Sequence, residues 1–151
     1  MHEFQVVRAT KAHVPEAGRL FDLYRQFYQC DPDLKLATDF IDARVINDES
    51  IIFLAVSRAG NGVGFVQMYP SFCSVEAVKI QILYDLYVDL GFRKQGLGRR
   101  LMEQATQYAR ESGASRLDLL TAKDNFSGQA LYESLGYVKT NQDFFAYSLN
   151  T

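Results

Sequence analysis

The chain holds 151 residues, 48% of them apolar and 23% charged, with a formal net charge of −2. That is material for one domain with a core of its own, and the slight acidity argues against general nucleic-acid binding. No apolar run reaches the roughly eighteen residues of a membrane span. The opening Met1-His2-Glu3-Phe4-Gln5 lacks the basic and apolar regions of a secretory signal, and Cys30 and Cys73 stand far apart, as free thiols of a reducing compartment do. The expectation is a single cytoplasmic domain, residues 1–151, with no metal, membrane or nucleic-acid partner.

Residues 4–9 read as a first strand. Pro15 suits an early helical turn, and Val14, Ala17, Leu20, Phe21, Tyr24, Phe27 and Tyr28 follow helical spacing to about residue 29. Asp31-Pro32-Asp33 breaks that helix, and a shorter one runs from residue 38 or 39 to 47. Residues 51–56 form a buried strand. Ala59-Gly60-Asn61-Gly62 turns the chain, and 63–69 returns as its partner. Residues 70–74 read as a loop and 77–88 as a long strand. A helix over 97–111 closes near Gly113. A strand over 116–121, a helix over 127–135 and a terminal hairpin from 137–139 and 144–149 complete the order.

The stretch between the long strand and the third helix carries the chemistry. An apolar run stops at Val88, and Arg93-Lys94-Gln95-Gly96-Leu97-Gly98-Arg99-Arg100 opens the helix. A glycine loop at a helix start leaves backbone N–H groups without intrahelical partners, at the positive end of the helix dipole. That is a site for a phosphate or pyrophosphate. A Walker loop would need Lys then Ser or Thr at the helix start. A dinucleotide fingerprint would need a third glycine where Leu101 stands. Neither pattern is met.

Downstream, Asn125 lies seven positions before Tyr132, and Gly136-Tyr137 closes the helix. With Arg93-x-x-Gly96-x-Gly98, this resembles the GNAT superfamily of acyl-CoA-dependent N-acetyltransferases. The segment around Asp85 is nearest in motif to the polyamine and histone acetyltransferase branch. The resemblance implies an α/β (α+β) fold with a mixed, mostly antiparallel sheet of six to seven strands and about four flanking helices. A strand pair splays at the cofactor site. Acetyl-CoA is the implied co-substrate: its pantetheine arm pairs with backbone around Leu86, Tyr87 and Val88. Its pyrophosphate rests on amides from Lys94, Gln95, Gly96, Leu97, Gly98 and Arg99, with Arg93 adding charge and Asn125 and Tyr132 completing the site. Many members carry Ala where this chain has Gly128, a change that weakens the helix without removing a functional group.

The same resemblance makes Tyr132 the general acid that protonates the leaving sulfur; a core aromatic is the structural alternative. Asp85 is unusual inside a buried strand. It is either the general base or a hydrogen-bonded anchor, and Tyr84 stands where that branch commonly has an acid. Arg100 reads as a solvated helix residue. From Asp22 to Glu49, acids outnumber bases, with Tyr24, Tyr28 and Tyr69 near. Carboxylates and aromatic faces suit a cationic amine, though the acids could equally be solvated helix residues. The implied reaction moves an acetyl group to a small primary amine, a polyamine or amino-acid-like compound. A protein lysine or N-terminus, an aminoglycoside and a non-catalytic acyl-CoA-binding module are alternatives. The apolar segment Phe144-Phe145-Ala146-Tyr147 could serve a homodimer interface or an inner strand.

Overall fold

Two stretches, Ile51–Ser57 (β2) and the first seven residues of Gly62–Cys73 (β3), bury successive residues without alternation, the behaviour of strands covered on both faces. They lie at the centre of a sheet with Phe4–Arg8 (β1), Val78–Val88 (β4) and Leu117–Asp118 (β5). The structure, a computed structural model, describes residues 3–151. Strand order follows the chain, β1-β2-β3-β4-β5. The first three pairings are antiparallel and β4–β5 is parallel.

Helices α1 (Val14–Phe27) and α2 (Leu34–Ile46) cover one face. Ala17, Leu20 and Phe21, with Ala37 and Ile41, pack there on Ile52, Leu54, Phe65 and Tyr87. Phe53 alternates to the opposite face, where its ring meets Tyr108 of α3 (Leu97–Glu111) at 6.1 Å between centroids. α3 presents Leu97, Leu101, Met102, Ala105 and Ala109 inward, the stripe expected of a helix on a sheet. It ends in a Schellman turn: Ala114 N–H reaches the Ala109 carbonyl and Gly113 N–H that of Arg110.

Two boundaries and the strand count differ most from the sequence reading. α2 starts at Leu34 because Asp33 is its N-cap, its side chain accepting from Leu36 N–H at 3.0 Å. β3 runs on through Pro70 to Cys73. β2 pairs with β3 no further than Met68, so the N–H that Pro70 lacks would have met no strand on that side. The third difference is the strand count. The sheet has five strands rather than six to seven, β5 is two residues long, and 137–139 and 144–149 form no ladder. The side chains of Phe144, Phe145, Tyr147 and Leu149 are exposed, Phe145 by 88%, so no apolar face is buried there to fix a register.

The described chain falls into two compact units, one ending at Leu120 and one spanning Thr121–Thr151. The second holds α4 (Phe126–Ser134).

Candidate active site

The glycine loop is built by backbone conformation. β4 stops at Val88, and Asp89 turns the chain by accepting from Leu90 N–H at 2.8 Å. A single 3-10 turn, Leu90–Phe92, follows. Lys94 then adopts φ +62° and Gly96 φ +78°, the left-handed region that suits glycine. α3 begins at Leu97 with Gly96 as a cap that offers no side chain and no acid in its first turn. A Cβ placed on Gly96 would meet no protein atom within 4 Å. The glycine is therefore needed for its φ, and the space above the first turn is open.

The basic side chains divide. Arg93 bonds its own strand: its Nε donates to the Val88 carbonyl at 2.8 Å, and its guanidinium lies 5.6 Å from the Tyr87 ring centroid and 5.8 Å from that of Phe27. It holds the loop's shape. Arg100, read as merely solvated, donates from Nη2 to the Phe4 carbonyl at 2.8 Å and ties α3 to β1. Lys94, Gln95 and Arg99 are exposed around the loop.

The strand before the loop is irregular in two ways. Its pairing with β5 consists of Gln81–Leu117 and Ile82–Asp118. From Leu83 through Leu86, Tyr87 and Val88, that edge of β4 has no strand beside it among the described residues. On the other edge, Gln67 pairs with Asp85 and Met68 with Leu83, so Tyr84 is the extra residue of a bulge. A bulge bends its strand and re-aims nearby side chains. Tyr84 is 66% exposed, whereas Leu83, Asp85 and Tyr87 are buried.

Asp85 sits in a polar chain crossing the core face under α1. Ser50 Oγ donates to Gln67 Oε1 at 2.7 Å, and Gln67 Nε2 donates to Asp85 Oδ2 at 2.7 Å. Gln67 has no exposed surface and Asp85 has 5%. The Tyr24 hydroxyl faces Asp85 and donates to the Tyr84 carbonyl at 3.4 Å. Burial pushes the Asp85 carboxyl above the ordinary aspartate range, and the bonds from Gln67 and Tyr24 pull the other way. Tyr24 is raised by burial and then by the Asp85 charge. Tyr69 is pushed up to about 12, by burial first and Asp85 second. Tyr24 and Tyr28 rings meet edge-on at 5.0 Å, and Tyr69 and Tyr84 at 5.8 Å. Sequence reasoning missed Ser50 and Gln67. The available signal was Gln67 itself, a polar residue inside the apolar run Val63-Gly64-Phe65-Val66-Gln67-Met68.

Several acids of the first helices have partners of their own. Asp22 is buried, accepting from Asp33 N–H at 2.9 Å and Gln26 at 3.1 Å. Asp33 caps α2, Asp39 pairs with Lys35, and Glu49 pairs with Arg44. Asp22, Asp33, Asp39 and Glu49 are thus engaged in capping and local pairing.

In the second unit, Asn125 is the N-cap of α4: its Oδ1 accepts from Gly128 N–H at 3.2 Å and its Nδ2 donates to Thr121 Oγ1 at 2.9 Å. A Cβ on Gly128 would collide with the Asn125 amide. The glycine that departs from the commoner Ala thus makes room for the cap. Tyr132 is half-buried on α4, its ring 6.0 Å from that of Tyr137. The helix closes as a Schellman motif in which Tyr137 N–H reaches the Tyr132 carbonyl and Gly136 N–H that of Glu133.

An uncapped helix start with open space above it, beside an unpaired strand edge, suits a ligand with both a pyrophosphate and an amide-bearing arm. The model of the acetyltransferase (GNAT) family matches residues 18–137. The chain belongs to the GNAT family. It is 42% identical over 131 residues, 87% of each chain, to the uncharacterised N-acetyltransferase YhfO of Bacillus subtilis (strain 168). A solved probable acetyltransferase superposes with TM-score 0.88 at 35% identity over 97% of both chains. The aminoglycoside N-acetyltransferase AAC(6')-Iy in complex with CoA shares the fold, with TM-score 0.82 at 15% identity over 98% of this chain and 96% of that one. This GNAT protein is an acetyl-CoA-dependent N-acetyltransferase with a mixed, mostly antiparallel sheet. Its groups that could hold the co-substrate are the backbone of Leu86–Val88 and of Lys94–Arg99. Among the described residues no cluster of three metal-ligating side chains occurs.

Proposed function

We propose that this GNAT enzyme acetylates a small cationic amine, of the polyamine or amino-acid-like kind. The observation that carries this reading is the buried Asp85 carboxylate, flanked by tyrosines, on the strand whose free edge leads to the glycine loop. An amine in water is mostly an ammonium, with a reference pKa of about 10. A carboxylate among aromatic rings attracts such a cation and can take one of its protons. Acetyl-CoA supplies the activated acyl carbon.

The residues divide the work as follows. Asp85 accepts a proton from the ammonium, leaving a neutral amine to form the C–N bond. Tyr132 gives its phenolic proton to the sulfur as the C–S bond breaks, and the proton shed by the new amide nitrogen restores the phenol. The support for Tyr132 is its spacing from Asn125 and the capped, closed helix that carries it. Amides from Lys94 to Arg99 hold the pyrophosphate, and Leu86–Val88 pair with the pantetheine arm. Each positioned acid or base contributes about 10²–10⁴-fold. We also propose that the two compact units make up one transferase domain.

A thiol-release assay with acetyl-CoA tests the reading against spermidine, free lysine, small monoamines, an aminoglycoside and a lysine-bearing peptide, with wild type beside Tyr132→Phe. Release dependent on a small cationic amine, at least tenfold lower in the variant, is expected. Turnover of the peptide alone would replace the acceptor class. No release with any amine despite acetyl-CoA binding would overturn the small-amine reading.

A further inference from the structure

We infer that Gln67 is a positioning residue, held by Ser50, that keeps Asp85 in the acceptor state a proton-abstracting carboxylate needs; the inference rests on Asp85 being the group that takes the amine proton. The argument begins with hydrogen-bond polarity. An amide oxygen only accepts and an amide nitrogen only donates. Ionised Asp85 only accepts, so the end of the Gln67 amide that faces it is Nε2, which donates to Oδ2 at 2.7 Å. The other end, Oε1, then accepts from the Ser50 hydroxyl at 2.7 Å, a bond that holds the amide in that orientation. Oδ2 is thereby committed to accept, and a proton on Asp85 is directed to Oδ1.

The bulge completes the device. Between Gln67 and Met68 the pairing with β4 slips, so Gln67 stands opposite Asp85 at the point where Tyr84 is pushed out of the ladder. Both side chains enter the α1 face of the sheet. A buried Gln with both ends engaged is costly to misplace, since an unsatisfied amide in the core costs about 1–3 kcal/mol. The two bonds thus favour one orientation. The other groups facing Asp85 are the Tyr24 hydroxyl from α1, with Tyr28 behind it, and Tyr69 from β3. Arg44 on α2 and Glu49 beyond it act on Tyr69. Gln67 is the neutral donor among these groups.

The sign follows. Burial raises the Asp85 pKa and the Gln67 bond opposes the rise. Removing that bond while keeping the volume drives the pKa further up, so less carboxylate is present near neutrality. The acid limb of a pH–rate profile then moves to higher pH.

The test uses ¹³Cγ-aspartate NMR titration of the full chain, with the Asp85 signal assigned by Asp85→Asn, beside the pH dependence of kcat/KM with the amine found above. Gln67→Met should raise the Asp85 midpoint and move the acid limb equally. Ser50→Ala, a smaller change tolerated if Gln67→Met fails to fold, should shift both in the same direction by less, and Ser50→Thr should restore wild-type values. An Asp85 midpoint unmoved in a folded Gln67→Met or Ser50→Ala protein overturns the inference. An acid limb that persists unchanged in Asp85→Asn instead overturns the reading of Asp85 as the proton acceptor.

Discussion

The glycine loop and the Asp85 chain stand at the two ends of one short stretch of β4, yet they are made by different means. The loop is backbone: a left-handed Lys94 and Gly96, a helix start without a side-chain cap, and an Arg93 committed to the Val88 carbonyl. The Asp85 site is side chain: residues 17 and 18 positions apart in sequence, brought together by strand register and a bulge. A backbone site depends on conformation and tolerates side-chain change, whereas a side-chain site depends on identity and orientation. The first suits an anion whose charge is fixed; the second suits a proton that must move.

That contrast can be broken by exchanging sensitivities. The largest effect is expected at Gly96. Gly96→Val forces a β-branched residue to φ +78°, where it is strained, and fills the space above the first turn of α3. Acetyl-CoA affinity measured by calorimetry should fall about ten- to a hundredfold, about 1.4–2.8 kcal/mol, with little change in amine dependence at saturating co-substrate. Affinity unchanged in that variant would place the pyrophosphate elsewhere.

A smaller effect sharpens the comparison in the second unit, where backbone and side chain meet at one cap. Gly128→Ala removes a residue of low helix propensity, and on an isolated helix it would stabilise. Here the added methyl strikes the Asn125 side chain and displaces the cap. A net loss of about 0.5–2 kcal/mol, the range for a lost N-cap, is expected in chemical denaturation. Asn125→Ala should cost a similar amount, and the double variant less than the sum of the two. A stabilised Gly128→Ala protein would show that the cap moves without cost.

The same division explains what the sequence disclosed. The loop was legible because its signals are contiguous: the end of an apolar run, a basic turn, two glycines, an amphipathic helix. α3 ran from Leu97 to Glu111 as its periodicity required. Asp85 was conspicuous as a carboxylate in a buried strand, but its partners were not, since register and the slip at Gln67 are set by packing across the sheet. The acids of 22–49 illustrate the converse. Their charge suggested an acceptor surface, while Asp22, Asp33, Asp39 and Glu49 proved to be committed to caps and pairs that only coordinates reveal. The terminal hairpin failed for a related reason: Phe144, Phe145, Ala146 and Tyr147 are apolar without alternation, and no face of that segment is buried.

Asp85→Asn tests the central claim most directly, because it keeps the size of the side chain and removes its basicity. Acetyl-CoA affinity and kcat should be measured on the same preparation. The division of labour requires affinity within about twofold of wild type, while kcat falls by about 10²-fold or more, within the range for a positioned base. An affinity loss as large as that of Gly96→Val, or a kcat that survives, would contradict it.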